Sequence, residues 1–364
     1  MKKTMVRSFA PDLIRSIAIC GVLFIHLTYP IYARPDFLGG ATWWLAQSIN
    51  SIFRISIPLF IMLSGYLLLH KNENIQKTVA RTLLRLALPL VGWSIIYALW
   101  DHFWFNNSFS IASLLTGLLS GGANHLYFLG ILINLYLLLP ILRVFWQYSS
   151  LGWKQYVVVL SITFGWMHTA LGYFVFEQQL LMPTIFTIGL PYLGYFLVGG
   201  YVRDMQFSGR QLLWVSITWL LATASTAFLG FFALELFAKG NLLFAGTVPY
   251  FDNYLSPNVS IAAISAFIAL LSLQNQNKLF LQQSSMYAIL YKSASVLASV
   301  AFGLYILHPM VMNILDFYFS FQVDFMEYSL LSYLIVRSVL VFLFTVVATF
   351  TLIKLPLIRK LLGE

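Results

Sequence analysis

Long apolar runs recur along this chain at residues 12–30, 43–68, 82–101, 125–146, 155–174, 183–201, 211–232, 258–274, 297–318 and 329–353. A hydrocarbon core about 30 Å thick needs roughly 20 apolar residues per helix, and these blocks have that length. In lipid each backbone polar group must be satisfied within the segment, which at this length means α-helices. The expected fold is all-α, a polytopic membrane protein of about ten spans forming one membrane domain over 1–364. Composition agrees, with 60% hydrophobic and 9% charged residues and no stretch suited to a soluble domain. Pro58, Pro89, Pro140, Pro183, Pro191 and Pro309 fall in or at the ends of the blocks, where kinks are expected because neighbouring groups can take up the freed backbone atoms.

The basic residues orient the bundle. Most of the 21 lysines and arginines cluster on one side, from Lys2, Lys3 and Arg7 through Lys71, Lys77, Arg81 and Arg85 to Lys354, Arg359 and Lys360. That side is the cytoplasmic one by the positive-inside rule, so both termini are expected in the cytoplasm. The basic start has no small-residue cleavage site after its apolar run and reads as a retained first helix. Asp36, Asp101, Glu177, Glu235, Asp252, Asp316, Asp324 and Glu327 lean to the outer side. The net charge of +9 is then mainly a topology signal that calls for no nucleic-acid partner, although it can hold an anionic cytosolic ligand near the membrane. Cys20 is the single cysteine, so no disulfide is expected. Residues 233–257, rich in aromatic side chains, read as a lid or re-entrant element.

Ionisable side chains inside a span are rare and point to function. Arg15 and His26 are eleven residues apart, about 20° past three full turns and roughly 16 Å in rise, so they share one helix face through Ile19 and Val22. Asp12 precedes Arg15 by one turn, at ion-pair spacing and near a helix start that favours an anion. Arg54 is too deep to snorkel easily and asks for a buried partner or a ligand, and Ser64-Gly65 permits close helix approach. Arg337 also lies within a span. Arg81 and Arg85, one turn apart at the mouth of the third block, serve either as membrane anchors or as two guanidinium forks suited to phosphate. The segment "NHLYFLGILINLYLLLP" carries His125, Asn134 and Tyr136, and "AFGLYILHPM" sets His308 before a proline that can free a carbonyl.

These stretches, in this order, resemble the acyltransferase-3 family of bacterial membrane O-acyltransferases. The resemblance rests on Arg15 and His26, on "PLFIMLSGYLL", on Arg81 and Arg85 before Pro89, on "HLYFL" followed by Tyr136 and Pro140, and on "GLYILHP". It covers essentially the whole chain. Tyr127 stands where the family more often has tryptophan, and Ala80-Arg81 where two basic residues are commoner. No attached esterase-like domain is seen, so transfer to the acceptor is expected from the membrane domain or a separate protein.

The resemblance implies a multi-pass enzyme of the bacterial cytoplasmic membrane. It would move an acyl group, usually acetyl, from cytosolic acyl-CoA to a hydroxyl of an exported glycan or its lipid-linked precursor, without a metal. His26 is then the expected base or acyl carrier, Arg15 orients the donor and Asp12 holds Arg15. Arg81 and Arg85 hold CoA, whose arm would extend along the Arg15 to His26 stripe. Arg54, Ser64, Tyr136, His125 and His308 are candidates for substrate contacts, with His308 also a second proton partner. Membrane lipids are the other expected partners, and homo-oligomerisation is left open. The rival reading is a secondary transporter or glycan flippase, against which stand the lack of inverted repeats and of matching broken helices. A non-catalytic scaffold leaves Arg15, His26 and Arg54 unexplained.

Overall fold

The computed structural model describes residues 9–122, 124–176, 184–239, 250–276, 285–319 and 330–363. Lys2, Lys3, Arg7, Glu177, Pro183, Lys278, Asp324, Glu327 and most of the lid segment at 240–249 lie outside the described residues. Among those described there is no strand. The helices are α1 (Phe9–Tyr32), α2 (Ala41–Phe53), α3 (Ser56–Leu68), α4 (Ile75–Thr82), α5 (Leu88–Phe105), α6 (Ile111–Leu119), α7 (Tyr127–Tyr148), α8 (Leu151–Phe174), α9 (Leu193–Val202), α10 (Gly209–Ala238), α11 (Pro257–Gln276), α12 (Ser285–Phe319), α13 (Leu330–Leu352) and α14 (Pro356–Leu361).

Nine helical stretches among the described residues are long and apolar enough to cross a membrane, and the protein is an all-α polytopic membrane protein. The block expected at 183–201 forms only a shorter apolar helix, Leu190–Val202. At 1.5 Å per residue it spans about 20 Å, less than the hydrocarbon core. Its start is delayed by a turn at Thr184–Thr187, closed by the Thr187 amide on the Thr184 carbonyl at 2.9 Å, and by Pro191 in the first turn. In contrast, α12 begins twelve residues before the expected block, so Lys292 lies on a helix and not in a loop. Lys77 and Arg81 are likewise helical, on α4.

Each proline removes the donor for the carbonyl four residues earlier, and the structure answers this in three ways. Pro58 leaves the Arg54 carbonyl without its helical partner, and the long second block breaks at Arg54-Ile55 into α2 and α3. Pro89 does the same to Arg85, and a π turn at Leu83–Ala87 widens the helix, with the Leu88 amide reaching back to the Leu83 carbonyl. Pro140 and Pro309 sit inside unbroken helices.

The chain divides into two compact units, residues 1–63 with 205–349 and residues 64–204 with 350–364. In the first, α1 packs against α2, α11 and α12, and α10 against α2 and α11. Buried hydroxyls there bond their own helix: Thr345 to the Val341 carbonyl at 2.6 Å and Thr349 to the Thr345 carbonyl at 2.8 Å. In the second unit α8 packs on α9, α4 on α7, α5 on α6 and α14 on α5. A side chain at Gly65 would collide with the backbone of Phe196, which is the close helix approach expected of Ser64-Gly65.

Candidate active site

Two polar centres emerge, one in each unit. In the first unit α1 is mostly buried, with Val22, Leu23, Ile25, Leu27 and Thr28 at 4%, 3%, 6%, 2% and 1% exposure, yet His26 among them is exposed. Its ring lies against that of His308 on α12, with centroids 5.0 Å apart and planes tilted by 47°. His308 is fully buried. The guanidinium groups of Arg54 and Arg337 are both near enough to act electrostatically on His26. An accessible imidazole within the field of two arginine cations is an arrangement that can supply a base and can favour a developing oxyanion.

Arg54 finds the buried partners that its depth demanded. It donates to the Tyr32 hydroxyl and lies over the rings of Tyr32 and Tyr254 at 5.7 and 5.6 Å. Tyr32 is held in turn by Trp43, whose indole N–H donates to the Tyr32 carbonyl at 2.9 Å. Asp252, expected at the outer boundary, is instead fully buried, within electrostatic range of Arg54, and accepts from the Gln47 amide at 3.3 Å. Gly230 makes room for this pair, since a Cβ there would strike the Gln47 amide and come within 3.5 Å of both Asp252 carboxylate oxygens. Arg337 grips Asp316 with two bonds of 2.9 and 2.7 Å and points a third N–H at the Leu27 carbonyl, one residue past His26.

Asp12 and Arg15 form the expected ion pair at 3.1 Å, with Asp12 buried and Arg15 about one-third exposed. The stripe from Arg15 to His26 is not an open track, however. Ile19 and Val22 between them are 0% and 4% exposed, so that face is covered between the two ionisable residues. The one-face geometry is correct, but apolar side chains at the intermediate turns close it.

The second centre surrounds Glu73, just before α4. Its carboxylate accepts two bonds of 2.7 Å from the Arg81 fork and lies 3.5 Å from Arg143 and 3.8 Å from Lys77. Arg143 also donates to the Thr78 hydroxyl at 2.8 Å and the Leu68 carbonyl at 3.0 Å. Hydrogen bonding and the charge of Arg81, with help from Arg143 and Lys77, hold the Glu73 carboxyl below the ordinary glutamate range. The Arg81 fork is therefore filled by Glu73, whereas Arg85, on the π turn, is exposed and has no ion pair among the described residues. Of the other candidates, Tyr136 donates to Ser64 at 3.1 Å, and His125 is buried edge-on to Tyr97 at 4.9 Å. These three belong to the second unit, while His26, Arg54 and His308 belong to the first.

Tyr32, Asp252, Asp316, Glu73 and Arg143 were not singled out as site residues by sequence reasoning. Only Arg143 carried a usable signal, being a basic residue near the end of an apolar block. Among the described residues, no cluster of His, Cys, Asp or Glu could hold a metal ion.

No solved structure matches this chain. The succinoglycan biosynthesis protein ExoH of Rhizobium meliloti (strain 1021) is 35% identical over 102 residues, which cover 24% of this chain and 26% of that protein. The match therefore spans about a quarter of that relative's length. The acyltransferase-3 family, described as an acyltransferase domain, matches residues 9–354. That match includes both polar centres, the His26 face and the Glu73 cage, and the chain belongs to the acyltransferase-3 family.

Proposed function

We propose that this protein transfers an acyl group, acetyl in the first instance, from cytosolic acyl-CoA to a hydroxyl of a cell-surface glycan or its lipid-linked precursor. The observation that carries this reading is His26: accessible on an otherwise buried span, in contact with His308 and beside Arg54 and Arg337. Family membership supports the reaction class, and the partial likeness to a succinoglycan biosynthesis protein supports a polysaccharide acceptor.

In the proposed reaction His26 takes the proton of the acceptor hydroxyl as its oxygen attacks the thioester carbonyl. The oxyanion develops in the field of the two guanidinium groups. The C–S bond then breaks, the ester remains on the acceptor, and the proton passes to the departing CoA thiolate. Arg15, on the same helix as His26, is the proposed donor contact, and Arg81 is engaged by Glu73. The proposed setting is the bacterial cytoplasmic membrane with both termini inside, Leu190–Val202 forming part of a tenth crossing.

The test is to incubate purified protein in lipid nanodiscs with labelled acetyl-CoA and a glycan fraction, and to follow CoA release and label in the glycan. His26→Ala is expected to lower transfer by about 10²–10⁴-fold while the protein inserts and melts normally. Solute uptake without CoA chemistry overturns the proposal in favour of transport, and full transfer by His26→Ala removes the mechanism.

A further inference from the structure

Resting on that reading of His26, we infer that His308 is the positioning residue that sets the tautomer of His26, and does so because Pro309 follows it. In a straight helix the carbonyl of Tyr305 would accept from the amide of residue 309. Proline has no such amide. The carbonyl is nevertheless satisfied, because His308 Nδ1 lies 2.8 Å from it and 3.1 Å from the Leu304 carbonyl. A carbonyl oxygen only accepts, so Nδ1 must carry the hydrogen. In the neutral ring this leaves Nε2 as the lone-pair nitrogen. The same bond repairs the helix, which runs unbroken from Ser285 to Phe319 through Pro309.

A fully buried His308 cannot meet an acceptor or a donor directly. What it meets is His26, with ring centroids 5.0 Å apart. That separation accommodates an N–H···N bond of about 3 Å once a ring turns on its Cβ–Cγ bond, and such bonds commonly tighten only when reactants bind. With the His308 Nε2 lone pair as acceptor, one His26 nitrogen carries the hydrogen and faces His308. The opposite nitrogen is then the base that faces the reactants. This is the role that a carboxylate plays toward a catalytic histidine elsewhere, here filled by a second imidazole whose own tautomer is fixed by the backbone. Near the pair among the described residues are Arg54 and Arg337, with Asp252 and Asp316 as their acidic neighbours, and Tyr305 at 6.3 Å from His308. Both arginines are donors only and cannot take the acceptor role assigned to His308.

The test contrasts two amides. His308→Asn keeps a donor where Nδ1–H stood and retains the bond to Tyr305, but loses the acceptor at Nε2. His308→Gln places an amide oxygen near the Nε2 position. The inference expects kcat to fall by about 100-fold in His308→Asn with KM for acetyl-CoA unchanged, and by less than about tenfold in His308→Gln. A purely structural role predicts the reverse order, because the helix repair survives in the asparagine variant, and that order overturns the inference.

Nitrogen NMR of histidine-labelled protein in nanodiscs gives a readout independent of activity. His308 should show the Nδ1–H form, and His26 a single tautomer that becomes a mixture in His308→Asn. An Nε2–H form at His308 overturns the inference. Absence of acyl transfer by the unmodified protein would instead refute the reading on which it rests, while the NMR result still decides the tautomer.

Discussion

The arginines of the membrane interior and those around Glu73 solve the same problem with different partners. At Glu73 one carboxylate, 10% exposed, gathers Arg81, Arg143 and Lys77, and cations outnumber the anion. This surplus is tolerable because Arg81 and Lys77 are 30% and 70% exposed and water shares the charge. In the interior Arg337 is 4% exposed and has a carboxylate of its own, Asp316, while Arg54 draws on a phenol and two aromatic faces with Asp252 nearby. Desolvated charge is matched group by group, and His26 is exposed in the same unit. The first centre thus leaves an imidazole exposed, whereas the Glu73 centre ties the start of α4 to Arg143 on α7.

The largest expected effect comes from unmatching an interior pair. Asp316→Asn leaves Arg337 desolvated without its carboxylate, and the loss should be about 3 kcal/mol. Replacing both residues, as Asp316→Leu with Arg337→Met, should restore much of that stability, because the buried charge has gone. Urea unfolding in detergent micelles of the single and double variants measures the difference. If the double variant is no more stable than the single, the pair stabilises by more than mutual neutralisation. Activity should not recover in the double variant, since one of the two cations beside His26 has been removed.

This contrast also explains what could be read from the chain alone. The nine spans among the described residues were legible because lipid imposes length and hydropathy, and Asp12 with Arg15 because an ion pair three residues apart obeys helix geometry. That Pro309 frees a carbonyl near His308 was legible for the same local reason, although not that His308 itself takes it up. Asp252 with Gln47 was not, because 205 residues separate the two and their meeting depends on how α2 and the Tyr250–Asp252 turn both pack against α10. Asp316 and Arg337 are 21 residues apart on successive helices, and a charge near the end of an apolar block looks like a boundary residue until its partner is seen. Glu73 is hidden in the sequence because it precedes the apolar block that starts at 82, whereas α4 begins at Ile75 and brings Arg81 back over Glu73, two residues before the helix. The Arg15 to His26 stripe shows the opposite failure, in which correct periodicity says nothing about which neighbours cover the face.

A smaller effect is expected at the Glu73 cage. Glu73→Gln keeps one acceptor oxygen but removes the charge that holds Arg81 and draws in Arg143, and should lower stability by about 2 kcal/mol. The same change frees the Arg81 fork. If Arg81 is a latent phosphate ligand, Glu73→Gln should lower KM for acetyl-CoA at low salt, whereas a purely structural cage predicts an unchanged or raised KM. Measuring Tm and KM on one preparation separates the two, because Tm and KM fall together only if the freed Arg81 binds phosphate.

The smallest effect, and the finest comparison between the centres, is the acid limb of that stability. Folding holds the Glu73 carboxyl below its ordinary range, chiefly through the Arg81 hydrogen bond and charge, so near and below the ordinary value the unfolded chain binds more protons than the folded one. The contribution is complete above the usual glutamate value of about 4.3 and is lost as pH falls through the lower, folded value. The difference in Tm between the unmodified protein and Glu73→Gln should therefore be flat from about pH 7 to pH 5 and should shrink toward pH 3. Arg143→Met, with Arg81 still in place, should keep that limb while shifting it upward, because Arg81 supplies the larger part of the depression and Arg143 a smaller one. A difference that stays constant down to pH 3 would mean that Glu73 is not held as an anion by these groups.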